Sequence, residues 1–281
     1  MQAASVLGAP TWPAELELVF ARQGERTVLE RRRHRGPLVV QRPFHPEADG
    51  TCHVYVLHPP GGVAGGDELS LRAEARTNAS VLLTTPAASK LYRTKSPRAS
   101  LQQTFRIGDG ASLEWLPQET IAFGGSRVTS TTTVHLERDA SYVGWEITCL
   151  GRPAAGDAFV TGSFRQCTEV WREGRLLLVD RMHVDAESPA RTAAWGFHGH
   201  PVYATLVASA ASPSLVAALR AAVTIDSPVD RFAVTALSGV TVCRFLGPSS
   251  ERARRALLAA WRVLRSEILG KPACPPRIWT T

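Results

Sequence analysis

The chain has 281 residues, 44% of them hydrophobic and 20% charged, and it carries a formal net charge of +7 at pH 7. This composition is typical of a globular protein and excludes a disordered chain, and the length permits one large domain or two small ones. No apolar run is long enough to span a bilayer and no export signal is recognisable, so we expect a cytoplasmic protein without a membrane partner.

The positive charge comes almost entirely from arginine, since lysine occurs only at positions 90, 95 and 271. Basic chains often bind nucleic acid, but no nucleic-acid-binding motif accompanies the charge, so we predict no nucleic-acid partner. A basic surface that docks on acidic proteins is compatible with the same charge.

The cysteines are odd in number and scattered, and no Cys-x-x-Cys spacing occurs among them. This pattern predicts neither a disulfide framework nor a structural zinc site, and reduced thiols in a cytoplasm are the simplest interpretation. The five positions are Cys52, Cys149, Cys167, Cys243 and Cys274.

The N-terminal part begins with residues 1–13, which are predicted to be a loose lead-in. Residues 15–20 alternate between polar and apolar side chains, which predicts a strand, and Gly24 marks a turn. The basic run 31–35 is predicted to be a solvated strand end before Gly36.

A glycine-rich stretch at 58–67 separates two predicted strands, 52–57 and 69–76. Loops that bind phosphate need a helix N-terminus behind them, so a nucleotide site is not predicted here. Glycines permit positive φ and close backbone approach, which suits a tight structural connection. The alternative is a loop that brings the carboxylate of Asp67 to a functional place.

Residues 68–185 are almost wholly β in pattern, and a turn-like residue followed by Ala-Ser recurs before strand patterns. The spacing is uneven, which excludes a regular solenoid but predicts stacked strands that begin with similar turns. Glu173-Gly174 predicts a hairpin turn. The recurring motifs are Asn78-Ala79-Ser80, Arg98-Ala99-Ser100, Gly110-Ala111-Ser112 and Asp139-Ala140-Ser141.

Helices are predicted only near the C-terminus. Ser212-Pro213 predicts the start of one helix, and a second is predicted from about Ser249 to Gly270. Two strands, 231–237 and 240–246, lie between them. We therefore predict a mainly β fold, a single domain over 1–281 with stacked strands and a helix–hairpin–helix unit at 212–270.

Strand alternation assigns two carboxylates, those of Glu146 and Asp180, to particular strand faces. Glu146 lies on the opposite strand face from Trp145, and it is either solvent-facing or functional. Asp180 shares its face with Leu178 and Met182, so an inward orientation would place a carboxylate among apolar groups. A buried carboxylate must pair, protonate or meet a cation, and an ion pair with an arginine is the alternative to a metal role.

No catalytic constellation is recognisable, and we predict that the chain is not an enzyme. Ser89-Lys90 lacks the spacing of a known nucleophile and base. His198 and His200 lie in a predicted loop without a third ligand nearby, so a loop pair without metal is favoured over a metal site.

Several motifs, in order along the chain, resemble the urease accessory protein UreD family, called UreH in some systems. The first is the stretch from His58 to Asp67, similar to the HPPGG…GGD signature of that family. Further matches are Gly36-Pro37-Leu38, Gln41-Arg42-Pro43-Phe44, the stretch from Thr85 to Lys90, the stretch from Leu113 to Glu119, the stretch from Cys149 to Pro153, and Pro276-Arg277-Ile278-Trp279.

The resemblance implies a scaffold in maturation of the nickel enzyme urease, with a mostly β fold. It implies partners: a helical accessory protein (UreF), a nickel-carrying GTPase (UreG) and apo-urease. It also implies a polar passage for Ni²⁺ lined at Asp67, Glu146 and Asp180, with Ser89 and Glu119 nearby. No cofactor is expected to bind tightly, and nickel is a transient cargo. A scaffold without nickel contact is the alternative.

The second helix carries an apolar stripe that includes Leu257, Trp261 and Leu264, which predicts that Trp261 is a core residue. The remainder of this helix is strongly basic and is predicted to contribute to a partner surface, most readily for the helical accessory protein. The arginines assigned to this surface are Arg254, Arg255, Arg262 and Arg265.

Overall fold

A computed structural model describes residues 12–95 and 97–280. It is mainly β with two α-helices near the C-terminus, which confirms the predicted fold class. The first strands are β1 (Pro13–Gln23), β2 (Arg26–Arg35), β3 (Val39–Val40), β4 (Cys52–Leu57), β5 (Glu68–Ala75), β6 (Ser80–Thr84), β7 (Ser89–Leu91), β8 (Ala99–Ile107) and β9 (Ser112–Trp115). They are followed by β10 (Thr120–Ala122), β11 (Arg127–Leu136), β12 (Ser141–Arg152), β13 (Asp157–Ala158), β14 (Ser163–Arg172), β15 (Arg175–Asp185), β16 (Val202–Ala208), α1 (Pro213–Ala222), β17 (Arg231–Leu237), β18 (Val240–Gly247) and α2 (Ser250–Leu269).

The strands form two large sheets. In the first, of seven strands, the order is β15-β14-β11-β8-β5-β1-β2, and the strands from β14 to β1 run parallel. In the second, the main order is β17-β18-β16-β12-β9-β6-β4-β3, with β4, β6, β9 and β12 parallel. β7, β10 and the end of β12 form a short third ladder. The chain from β5 to β12 therefore winds through successive stacked coils.

The recurring Ala-Ser motif marks the corner at which each coil passes from the first sheet to the second. Ala79, Ala111 and Ala140 are all buried there. The amide of Ser112 donates to the Ala79 carbonyl at 2.8 Å, and that of Ser141 donates to the Ala111 carbonyl at 2.9 Å. The prediction of stacked strands with similar turns is thus confirmed at these three motifs. The motif at Ala99 lies elsewhere, at the start of β8.

Strand β12 is buried on both faces, and this arrangement positions the candidate site. Val143, Trp145 and Ile147 pack with α1 and α2 in one hydrophobic cluster. Glu146 and Thr148 point the other way, into the space between the two sheets. The helices cover one face of β12, and the first sheet lies across from the other. Glu146 therefore lies in the interior and does not face solvent.

Both helices begin as the sequence predicts. The Ser212 hydroxyl accepts from the Leu215 amide at 3.0 Å, and the Ser249 hydroxyl accepts from the Arg252 amide at 3.3 Å. Gly270 ends α2 in the left-handed conformation that glycine adopts without strain. The hairpin β17–β18 joins the second sheet through β16, so the helix–hairpin–helix unit shares that sheet.

Trp261 is fully buried on α2, which confirms its prediction as a core residue. Its ring meets those of Trp145 and Trp279 at steep angles, with centroids 6.3 and 5.9 Å apart. Its Nε1 donates to the Glu114 carboxylate at 2.6 Å. This hydrogen bond ties the helix to strand β9.

At the N-terminal end, β1 begins at Pro13, and most of the predicted lead-in, residues 1–11, lies outside the described residues. The basic run 31–35 is exposed on β2, the edge strand of the first sheet, as predicted for a solvated strand end. Among the described residues, none of the helices combines the length and apolar character needed to cross a membrane.

Candidate functional site

The glycine-rich loop 58–67 connects β4 to β5 and contacts the segment after β7. Val63 pairs with Leu91 in a parallel bridge, and a Cβ added at Gly62 would lie 2.3 Å from the Tyr92 ring. The close approach explains a glycine there. The Asp67 carboxylate accepts from the Ala64 amide at 2.7 Å and so closes a turn within the loop.

A cavity of about 300 Å³, here called the inner cavity, lies between the two sheets. Strands β5, β8 and β11 contribute to one wall, and β9, β12 and the glycine-rich loop contribute to the other. Apolar side chains such as Leu71 and Trp115 alternate in its lining with polar groups. The polar groups include His58, Ser89, Gln102, Gln103, Ser130, Glu146 and Thr148.

Glu146 lies at the deep end of the inner cavity, held by donors from both neighbouring strands of the first sheet. The Thr132 hydroxyl donates to Glu146 Oε1 at 2.8 Å. Gln166 Nε2 donates to Glu146 Oε2, and the Tyr203 hydroxyl donates to Gln166 Oε1 at 2.6 Å. The carboxylate is therefore fixed in place, and part of its surface remains open to the cavity.

Beyond Glu146 lies a second space of about 460 Å³, here called the outer pocket, which opens to the surface. Asp180 lines it and forms an ion pair with Arg244, whose Nη2 is 2.8 Å from Asp180 Oδ1. The Asp180 side chain is 23% exposed, so it is partly buried in the wall of this pocket. The predicted alternative, an ion pair with an arginine, is also present.

A narrow space of about 10 Å³, here called the constriction, lies between these two. Glu146 lines both the inner cavity and the constriction, and Gln166 lines both the constriction and the outer pocket. The three spaces thus form a row through the fold, with one carboxylate on each side of Gln166. A space of this size holds about one water molecule. Passage of a larger hydrated ion requires side chains that line the constriction to move.

Burial raises the pKa of the Glu146 carboxyl to about 7, because removal from water penalises its charged form. The hydrogen bonds from Thr132 and Gln166 act in the opposite direction, while the charge of Asp180 raises the pKa further. The carboxyl therefore exchanges a proton near neutral pH, unlike an exposed glutamate.

Glu146→Gln is expected to change how stability depends on pH. The folded-state pKa of Glu146 exceeds its unfolded value of 4.5. The unfolding free energy of the wild type relative to the variant should therefore fall as pH rises from about 4.5 to about 7. It should stay level above that range, and the total change should be about 3 kcal/mol. Urea denaturation across this range measures it, and a constant difference at all pH values would contradict the buried carboxyl.

The structure separates the other predicted passage residues. Ser89 lines the inner cavity, as the hypothesis requires. Asp67 does not belong to the described lining of that cavity, because its carboxylate turns back on its own loop. Glu119 is ion-paired with Arg254, with Arg254 Nη2 2.8 Å from Glu119 Oε1, so it joins α2 to the sheet.

The sequence did not predict Thr132 and Gln166, which hold Glu146 and line the constriction, or Tyr203, which holds Gln166. The sequence pattern of β14 did contain a signal for Gln166. Phe164, Gln166 and Val170 are separated by even numbers of residues, so Gln166 lies on the same inward face as the two buried apolar residues. A polar residue on an apolar strand face borders either an internal cavity or solvent. Without knowledge of the neighbouring strand, alternation alone does not decide between the two.

The predicted arginine surface on α2 is only partly correct. Arg265 is fully buried and contacts Glu114 and Glu47, so it does not lie on any surface, and the prediction for it was wrong. Arg254 is mostly buried in its pair with Glu119. Arg255, 61% exposed, and the exposed Arg262 remain available to a partner.

His198 and His200 lie in the loop before β16, with ring centroids 5.9 Å apart. Burial lowers the pKa of His200, and the neighbouring His198 and Arg231 lower it further. No third histidine, cysteine or carboxylate of the described residues joins them in a ligand group.

Comparisons with known proteins agree on one family over nearly the whole chain. The sequence profile of the family described as "UreD urease accessory protein" matches residues 13–280. A "Urease accessory protein UreD" of Alkalilimnicola ehrlichii is 47% identical over 273 residues, covering 97% of this chain and 93% of the relative. One from Dechloromonas aromatica is 45% identical over 97% of this chain and 96% of the relative. The chain therefore belongs to the UreD family of urease accessory proteins.

Proposed function

We propose that this urease accessory protein is a non-catalytic scaffold that also provides a passage for Ni²⁺ to apo-urease. The observation that carries the proposal is the row of inner cavity, constriction and outer pocket, with Glu146 and Asp180 on opposite sides of Gln166. Nickel is the cargo in this proposal and not a resident cofactor.

The ligand atoms along the row suit a Ni²⁺ ion that passes through better than one that stays bound. A divalent ion that leaves water needs oxygen or nitrogen ligands, since an apolar lining alone would stop it. Carboxylate, amide and hydroxyl oxygens along the row provide such ligands one at a time. They do not surround a single position with several ligands. Scattered oxygen ligands bind Ni²⁺ more weakly than histidine and cysteine clusters do, which permits release at the far end.

The partners in the proposal are a UreF-like helical accessory protein, a UreG-like GTPase and apo-urease, with the exposed part of α2 contacting the helical protein. The alternative is a scaffold that positions these partners without touching nickel. The cytoplasmic location stays a prediction.

The double variant Arg255→Glu/Arg262→Glu is expected to weaken capture of the helical accessory protein by about tenfold or more, because two exposed cations become anions on one helix. A pull-down with the purified partner measures it. Arg72→Glu/Arg138→Glu is the control, since both arginines are exposed, one on β5 of the first sheet and one in the turn after β11. Unchanged capture by the helix variant, with an intact fold, would exclude this surface.

The overall proposal is tested by urease maturation in cells that lack the native UreD-type protein. Urease purified from these cells should contain little nickel, and expression of this chain should restore both nickel content and activity. If urease acquires full nickel without the chain, both the scaffold and the passage are excluded.

A further inference from the structure

Three residues from two distant parts of the chain bring a nitrogen, a sulfur and an oxygen ligand atom together near the C-terminal end of α2. Glu47 lies in the loop before β4, His53 lies on β4, and Cys274 follows α2. One ligand atom from each lies within 4.8 Å of the other two. None of the three residues lines the inner cavity or the outer pocket. The cluster is therefore separate from the row of spaces described above.

His53 in this cluster is fully buried and only half satisfied. Its Nε2 lies 2.6 Å from Glu47 Oε1, and because a carboxylate can only accept, that nitrogen carries the proton. Its Nδ1 has no hydrogen-bond partner among the described residues. An ion bound at Nδ1 would lie on the side of the ring away from Glu47, so Nε2 is the atom that can bind an ion together with Glu47, and the free Nδ1 can take its proton.

The charges around the cluster favour a cation over a neutral ligand. Among the described residues, the carboxylates of Glu47, Glu114 and Asp49 pair with the cations Arg265 and Lys271 and with the His53 ring. With His53 neutral, one negative charge is thus in excess in the cluster. A neutral ligand would leave this charge unchanged, whereas a cation would compensate it.

Cys274 supplies the third ligand and the soft one. A thiol bound to a divalent ion loses its proton and binds as the thiolate. With a thiolate and a divalent ion present, the four negative groups and the positive charges balance.

We propose that Glu47, His53 and Cys274 bind one divalent transition-metal ion of borderline softness, of the class of Zn²⁺, Co²⁺ and Ni²⁺. On binding, the proton on His53 Nε2 moves to Nδ1, the thiol proton is released to solvent, and no electron is transferred. The mixed sulfur, nitrogen and oxygen donors are those that such ions select. The bound ion joins the tail after α2 to strand β4, and this role is independent of any passage through the fold.

Cobalt titration of the purified full-length chain tests the proposal, because Co²⁺ bound to a thiolate gives a near-ultraviolet charge-transfer absorption. The wild type should show this absorption with saturation at one ion per chain, and excess Zn²⁺ or Ni²⁺ should remove it. Cys274→Ser should abolish it. The matched control is Cys167→Ser, also half-buried but on β14, which should bind as the wild type does.

A second variant separates binding from folding. Glu47→Gln keeps the size of the side chain and should lower cobalt affinity by at least about tenfold, because an anionic ligand becomes neutral. Thermal melting without metal identifies any variant that has lost its fold. Three results would overturn the proposal: no charge-transfer absorption in the wild type, the same absorption in Cys274→Ser, or binding that never saturates, which indicates adventitious metal only.

Discussion

Replacing Arg265 with alanine is expected to lower the free energy of unfolding by about 3–5 kcal/mol, because it removes one partner of a buried ion-pair network. The guanidinium is fully buried and its Nε lies 3.1 Å from both Glu114 oxygens. Its Nη2 lies 2.7 Å from Glu47 Oε1, and its Nη1 donates to the Pro272 carbonyl at 2.7 Å. Without it, the carboxylate of Glu114 would stay buried, with the Trp261 indole as its one remaining side-chain donor among the described residues.

Urea denaturation of the Arg265→Ala variant measures the loss. Arg262→Ala is the matched control, since it removes an exposed arginine from the same helix and should change stability by no more than about 0.5 kcal/mol. Equal effects of the two substitutions would show that Arg265 does not hold α2 to the sheets.

Ser89→Lys is expected to lower the nickel content of matured urease by about tenfold or more. Ser89 lines the inner cavity, so a lysine there fills space and places a positive charge on the path of a divalent cation. Repulsion between these charges at a few ångströms amounts to several kcal/mol at the effective dielectric constant of a protein interior.

The control for this prediction is Ser89→Ala, which removes the hydroxyl without adding volume or charge and should leave nickel content close to that of the wild type. Nickel is measured in urease purified after maturation with each variant, and a pull-down checks that the complex assembles. Full nickel loading with an assembled Ser89→Lys complex would show that nickel does not pass through the inner cavity.

Local features of this fold could be predicted from sequence because they depend on short-range physics. The caps at Ser212 and Ser249, the Gly270 stop and the hairpin at Glu173-Gly174 each involve residues only a few positions apart. Strand alternation likewise predicts which side chains share a face. It does not predict what covers that face, and for this reason Glu146 was left open between solvent and interior.

The prediction for Arg265 was wrong because it followed the charge of the residue and not its position in the helix. Arg265 lies four positions after Trp261, so helical periodicity places both on the same face of α2. Its positive charge nevertheless led to its assignment to the exposed basic surface of that helix. The carboxylates that stabilise it inside, Glu114 and Glu47, come from β9 and from the loop before β4, more than a hundred residues away in sequence.

The candidate sites depend on contacts of the same long range. Gln166 meets Glu146 only because the β11 and β14 strands stack beside each other across from β12. Cys274 meets His53 only because α2 returns the chain to β4. No ligand spacing in the sequence reveals such a group, because Cys274 lies more than two hundred residues after Glu47 and His53.

The nickel passage is tested most directly by the double variant Glu146→Ala/Asp180→Ala, which removes the carboxylates on both sides of Gln166. The control is Glu17→Ala/Asp139→Ala, which removes two exposed carboxylates from elsewhere on the surface. The measurement is the number of nickel ions per urease active site after maturation, with a pull-down for assembly. We expect the passage variant to assemble normally and to deliver clearly less nickel than the control. Full nickel loading by that variant would contradict the passage and leave a scaffold that never touches nickel.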